Sequence, residues 1–157
     1  MTDIVRLAQR LHRRIKWQEI PEELNSADLM VIICDAIRML YVISGRTFQF
    51  SEDMFVTRIV TQPEEEDEPE YTEDGLWFSA DLPIDEEEWV LLEGEISFYN
   101  MALSNVDDLQ SYTTDAMAVT HGDKPYKNIK ATVEDRQAKQ AVVWTRMVRY
   151  NQLGVSG

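Results

Sequence analysis

"PIDEEEWVLLEGEISFYNMAL", residues 83–103, decides between a helical and a β-rich reading of the chain. Pro83 stands just before the segment, Asp85 can cap a helix, and Glu88 follows three residues on, at the spacing of a capping box. Glu86 and Glu87 add negative charge where the helix dipole favours it. Trp89, Leu92, Ile96, Tyr99 and Leu103 then form one stripe of helical period. The reading is a helix over about residues 85–104. Gly94 inside it costs roughly 1 kcal/mol against Ala, and a close helix crossing there would explain it.

Working toward the N-terminus, "MFVTRIVT" (54–61) and "GLWFSAD" (75–81) read as strands of a hairpin over about residues 54–81. The run that joins them, "QPEEEDEPEYTEDG" (62–75), holds six Glu, two Asp and no Lys or Arg. Its carboxylates repel one another and Pro63 and Pro69 disfavour regular structure, so residues 62–74 are expected to form a mobile acidic tip. Before the hairpin, "DLMVIICDAIRMLYVISGR" (28–46) is apolar around most of a helix. It predicts a helix over about 26–43, capped by Asn25 or Ser26, stopped at Gly45, and the most buried of all. A first helix is expected over about 3–16, capped by Thr2 or Asp3, with Ile4, Ala8, Leu11 and Ile15 inward.

Toward the C-terminus, "SNVDDLQSYTTD" (104–115) reads as a polar connection. "AMAVTHGDKPYKNIK" (116–130) reads as a short strand, a Gly-Asp turn and a second extended piece. A last helix is expected over about 131–150, with Thr132 and Asp135 as its cap pair and a narrow apolar face, then a flexible tail at 151–157. These elements describe one domain, mainly α: a bundle of about four helices with an inserted β-hairpin carrying an acidic loop. At 157 residues and 44% apolar the chain is long enough to bury a core.

Net charge is −14, unevenly spread. Residues 1–16 carry five basic and one acidic side chain (+4), residues 52–115 one basic and twenty acidic (−19), and residues 124–157 seven basic and two acidic (+5). So acidic a chain is a poor general nucleic-acid binder, because phosphate contacts dominate that affinity. The basic ends, Arg10, Arg13 and Arg14 together with Lys124, Lys127 and Lys130, are more simply read as partners for the acidic middle of this chain or of another copy. The opening "MTDIVRLAQRLHRRIK" lacks the uninterrupted apolar core of a secretory signal. The longest apolar stretch, "LMVIICDAIRMLYVI", is broken by Asp35 and Arg38 and falls short of the roughly 20 residues of a membrane span.

Chemistry finds little support. The acidic run has the charge of a calcium loop without its ligand spacing. His12, His121 and Cys34, the candidate soft ligands, are scattered over three elements; Cys34 reads as a small buried hydrophobe. No nucleophile elbow and no phosphate-binding glycine loop is present. The expectation is a protein that is not an enzyme and uses no cofactor or metal. A small metal-dependent enzyme and an acidic DNA mimic that occupies a nucleic-acid-binding protein are the competing readings.

The layout resembles the head–tail connector (adaptor) proteins of tailed bacteriophages. The resemblance rests on the order of "DLMVIICDAIRMLYVISGR", with its "DAIRMLY" segment, then "EEEWVLLEGEISFYNMAL" (86–103), "MAVTHGDKPYKNIKAT" (117–132) and a final basic helix. It implies a subunit that assembles as a ring, usually of twelve, in the virion neck, after synthesis in the host cytoplasm. The ring would touch the portal on one side and a stopper or tail protein on the other. DNA would pass through its lumen without sequence-specific binding, and no membrane would be involved. By position, the resemblance points to Trp144, Arg146, Arg149, Tyr150, Asn151, Gln152, Leu153 and Gly154 as the portal or partner interface. The acidic hairpin is outside the family pattern. Its residues Glu64, Glu65, Glu66, Asp67, Glu68, Glu70, Glu73 and Asp74 would line the lumen, where they repel phosphate over about 8–10 Å at physiological salt, or meet a neighbour.

Overall fold

The computed structural model describes residues 2–20, 28–46, 55–61, 72–112 and 123–152. The architecture is mainly α with a small antiparallel sheet, and the core is one continuous cluster drawn from every helix. In chain order the elements are β1 (Thr2–Asp3), α1 (Ile4–Arg14), a 3-10 turn (Trp17–Glu19), α2 (Leu29–Ile43), β2 (Phe55–Thr61), β3 (Thr72–Phe78), α3 (Ile84–Tyr112) and α4 (Asp123–Gln152).

Helix α1 starts because Asp3 caps it, its side chain accepting from the Arg6 N–H at 3.1 Å. Ile4, Leu7, Ala8 and Leu11 form its buried stripe. It ends at Arg14 rather than Lys16, because Ile15 turns to extended backbone and points its side chain into the core. Thr2 is buried and joins the chain's start to the end of β3: its hydroxyl donates to the Ala80 carbonyl (2.8 Å) and accepts from the Leu82 N–H (3.0 Å). Strand β1 escapes sequence reading because two residues are too few to display a period.

Asp28 caps α2, accepting from the Met30 N–H, in place of the expected Asn25 or Ser26. The helix stops at Gly45 as expected. Gly45 adopts φ +68°, and the N–H groups of Gly45 and Arg46 close back on the carbonyls of Val42 and Tyr41. This is a Schellman end, and it needs the left-handed backbone that glycine tolerates.

The hairpin forms as expected, with Phe55 opposite Phe78 and Thr61 opposite Thr72, and the sheet order is β1-β3-β2. The second strand is shifted toward the tip: it pairs over Thr72–Phe78, and residues 79–81, expected within it, lie beyond its end. Glu73 and Asp74 lie in β3 opposite Val60 and Ile59, and so do not belong to the tip. A ladder continues as long as each N–H and C=O finds a partner.

The central helix is α3, which corrects the expectation for α2. Trp89, Val90, Leu91, Leu92, Ile96, Phe98, Tyr99 and Ala102 are all buried, so α3 is enclosed by α1, α2 and α4 on almost every side. Gly94 lies where the neighbours cross it. A Cβ built there would stand 3.0 Å from Leu11 Cδ2 and 3.6 Å from Ile32 Cγ2, so the missing side chain lets α1 and α2 approach. Helix α3 continues to Tyr112, through most of the stretch expected to be a connection.

Helix α4 starts at Asp123, eight residues before the expected start at Ala131, so 123–130 are helical rather than extended. Pro125 falls in the first turn, where its missing N–H costs nothing and its fixed φ suits the helix. Thr132 and Asp135 are therefore interior positions and not a cap; the Thr132 hydroxyl donates to the Asn128 carbonyl. The buried stripe of α4 is narrow, as expected: Ile129, Thr132, Val133, Val143 and Met147.

Candidate interaction surface

The first turns of α3 gather carboxylates, and each neighbouring helix supplies a cation to them. From α1, Arg10 meets Glu87 at 2.8 Å and Arg14 grips Glu88 through two contacts of 2.9 and 2.6 Å. From the end of α2, Arg46 meets Glu86 at 2.8 Å, and its guanidinium lies 4.2 Å from the centre of the Tyr41 ring. From α4, Arg146 meets Asp85 at 3.1 Å and Gln140 donates to Glu93 at 2.6 Å. Two arginines of each basic end thus pair with the acidic middle of the same chain, as expected for Arg10 and Arg14. Arg13, Lys127 and Lys130 remain exposed.

Deeper in, Glu95 is 1% exposed and receives Arg136 Nε at 3.0 Å, with Arg14 3.8 Å from its other oxygen. Burial pushes the Glu95 carboxyl above the usual carboxylate range, against the pull of Arg136 and Arg14. Nearer the surface the balance reverses. The Arg14 hydrogen bond holds the Glu88 carboxyl below its usual range. The sequence carried a signal for Glu95 that went unread: it stands in register with Leu91, Phe98 and Ala102, a charge on an apolar stripe.

Above these pairs, a half-open groove of about 460 Å³ separates the C-terminal end of α2 from the last turns of α4. It is lined by Ile43, Ser44, Arg46, Glu86, Trp144, Met147 and Val148. Of the expected partner residues, Trp144 is half-buried in this groove, Arg146 is exposed and tied to Asp85, and Arg149 is exposed. Tyr150, Asn151 and Gln152 complete α4; Leu153 and Gly154 lie outside the described residues. Of the acidic residues, Glu73 and Asp74 sit in β3, whereas Glu64, Glu65, Glu66, Asp67, Glu68 and Glu70 lie outside the described residues.

Among the described residues no three His, Cys, Asp or Glu side chains are placed to hold a metal ion. His12 is exposed, its ring 4.8 Å from that of Trp17, and His121 is outside the described residues. Cys34 is buried in α2, and burial pushes its thiol up to about 11, so it behaves as an inert hydrophobe. Among the described residues no helix is long and apolar enough to cross a membrane.

The fold and surface define a helical bundle with a hairpin whose helices are joined by ion pairs and which carries a groove between the end of α2 and the last turns of α4. Comparison with known protein families, with curated proteins and with solved structures finds no match.

Proposed function

We propose that the chain is a structural subunit of a tailed-phage neck, a head-to-tail connector that forms a ring between the portal and the tail or stopper protein. The observation that carries this reading is the use of charge within the bundle. Arg10, Arg14, Arg136 and Arg146 are engaged by Glu87, Glu88, Glu95 and Asp85, and so are poorly available to phosphate. A subunit of net charge −14 with these four arginines occupied is suited to a wall past which DNA slides without sticking. The same pairs argue against the DNA mimic, which needs its carboxylates exposed and unneutralised. In this reading the end of α4, with Trp144, Arg146, Arg149 and the residues after Tyr150, faces the portal. The role needs no cofactor.

The test is to mix the purified chain with the portal oligomer of its own virus and image the product. A ring of this protein seated on the portal is expected. Trp144→Ala should weaken the association by roughly 30-fold, the effect of losing an interface aromatic worth about 2 kcal/mol. Absence of any complex with portal, stopper or tail protein overturns the proposal.

A further inference from the structure

Helix α2 turns an unusual face outward. Val42 is 61% exposed and Val31 53%, with Met39 and Ile43 also exposed beside them. On this face Val31, Asp35, Arg38 and Val42 follow one another at spacings of four, three and four, the seam of a two-helix coiled coil. Ile33 and Leu40, on the opposite side, fill the core of the subunit itself. The two charged members bond each other within the helix, Arg38 to Asp35 at 2.8 Å, with Asp35 exposed and Arg38 half-exposed.

This order of residues is complementary to itself when reversed. With two α2 helices antiparallel about a two-fold axis, Val31 of each copy faces Val42 of the other, and Asp35 faces Arg38. A parallel arrangement would set Asp35 against Asp35 and Arg38 against Arg38, and like charges in such layers exclude it. We infer that the free subunit forms a two-fold dimer through the outer face of α2, with the Asp35–Arg38 pairs exchanged between copies. The apolar layers supply the attraction and the charged layers set orientation, since a desolvated ion pair adds specificity more than strength. One four-turn helix pair lies at the small end of specific interfaces, so the dimer is weak. An isologous contact closes at two copies. It is therefore distinct from the contact that would build a ring, and it stands or falls without the portal.

Sedimentation of the isolated chain from about 1 μM to about 1 mM, the range over which weak contacts dissociate, should display a monomer–dimer equilibrium. Val42→Asp should weaken it at least about tenfold while the circular dichroism of the folded subunit is kept. Asp35→Arg alone and Arg38→Asp alone should each weaken it by a similar factor, because each sets like charges across the axis. The double variant Asp35→Arg/Arg38→Asp should restore the dimer. Orientation is read by cross-linking: Val31→Cys mixed with Val42→Cys should form a disulfide between copies under mild oxidation, whereas Val31→Cys alone should not. The buried Cys34 does not compete. A wild-type monomer throughout the range, a dimer indifferent to Val42→Asp, a double charge swap that stays monomeric, or efficient cross-linking of Val31→Cys to itself would each overturn the inference.

Discussion

Helices α3 and α2 break the usual rule of amphipathic helices in opposite directions. Helix α3 carries a carboxylate, Glu95, into the middle of its buried surface, and α2 carries Val31, Met39, Val42 and Ile43 out to solvent. The two departures are separate uses of side-chain chemistry. Inside the bundle, charge acts as a register device. Glu87 and Glu88 each accept an arginine of α1 and Glu95 accepts one of α4, contacts that favour one docking of these helices on α3. Outside, these apolar side chains are exposed, a surface that favours association. A bundle held by apolar contacts alone tolerates sliding of its helices. Ion pairs with defined geometry remove that freedom at some cost in stability.

The largest effect should come from breaking the inner device on one side only. Glu95→Ala leaves the Nε of Arg136, whose side chain is 15% exposed, facing a cavity, with the exposed Asp135 as the guanidinium's remaining partner. The expected cost is about 3 kcal/mol, measured as a loss in urea midpoint with unchanged slope. The double variant Glu95→Leu/Arg136→Met should recover most of that loss, because replacing both buried ions by apolar groups removes the desolvation cost together with the attraction. If the double variant is as unstable as the single one, the pair contributes net strength and the reading of it as a register device is wrong.

A smaller effect separates the inner pair from the outer rim. The Glu88 carboxyl is held below its usual value by Arg14, so it binds protons less readily folded than unfolded. Its stabilising contribution is complete above the unfolded value of about 4.3 and is lost as pH falls through the lower folded value. Glu95 has the opposite sign. Raised by burial, its contribution is complete below about 4.3 and declines as pH rises toward the folded value. The stability difference between wild type and Glu88→Gln should therefore be constant near neutrality and shrink only below about pH 4. Since both partners are about a third exposed, the difference should not exceed about 1 kcal/mol. A difference that persists at pH 2 would mean that Glu88 acts through packing and not through its charge.

Much of the bundle was legible, and the failures have physical causes. The start of α3 could be read to within one residue because acidic charges and period agree from Asp85 to Trp89, although the helix begins at Ile84, so Asp85 lies within the first turn and is not its cap. Gly94 could be read because its cost within a helix demanded a compensating contact, which Leu11 and Ile32 supply. The end of α3 could not. Ser104, Asn105, Asp107 and Asp108 favour turns through local hydrogen bonds, and the helix continues through them in the element that packs most extensively against α4. The start of α4 could not be read because Gly122 and Asp123 have the composition of a turn between extended pieces, whereas Asp123 opens the helix and Pro125 is tolerated in its first turn. The burial order of α2 and α3 was inverted for a related reason. Apolar content measures what a helix could bury, and α2 has more apolar surface than the subunit covers. Of the candidate interface, Trp144 came from position along the chain, whereas Ile43, Ser44, Arg46 and Glu86 joined it only through tertiary folding.

The smallest expected effect lies on the outer face of α2. The Asp35–Arg38 pair is an i,i+3 contact between side chains 64% and 44% exposed, so Asp35→Ala should cost only about 0.3 kcal/mol in the monomer. The measurement needs dilute protein, roughly 1 μM, where weak association is absent. Repeating it in concentrated protein adds the stabilisation that any partner of the native state contributes by mass action. Wild type should then gain in urea midpoint with concentration, and Asp35→Ala should gain less. A midpoint independent of concentration for both proteins would place the exposed valines with ordinary surface residues. A loss well above 0.5 kcal/mol in dilute Asp35→Ala would instead make this pair part of the fold, and the contrast between α3 and α2 would then no longer separate the two uses of charge.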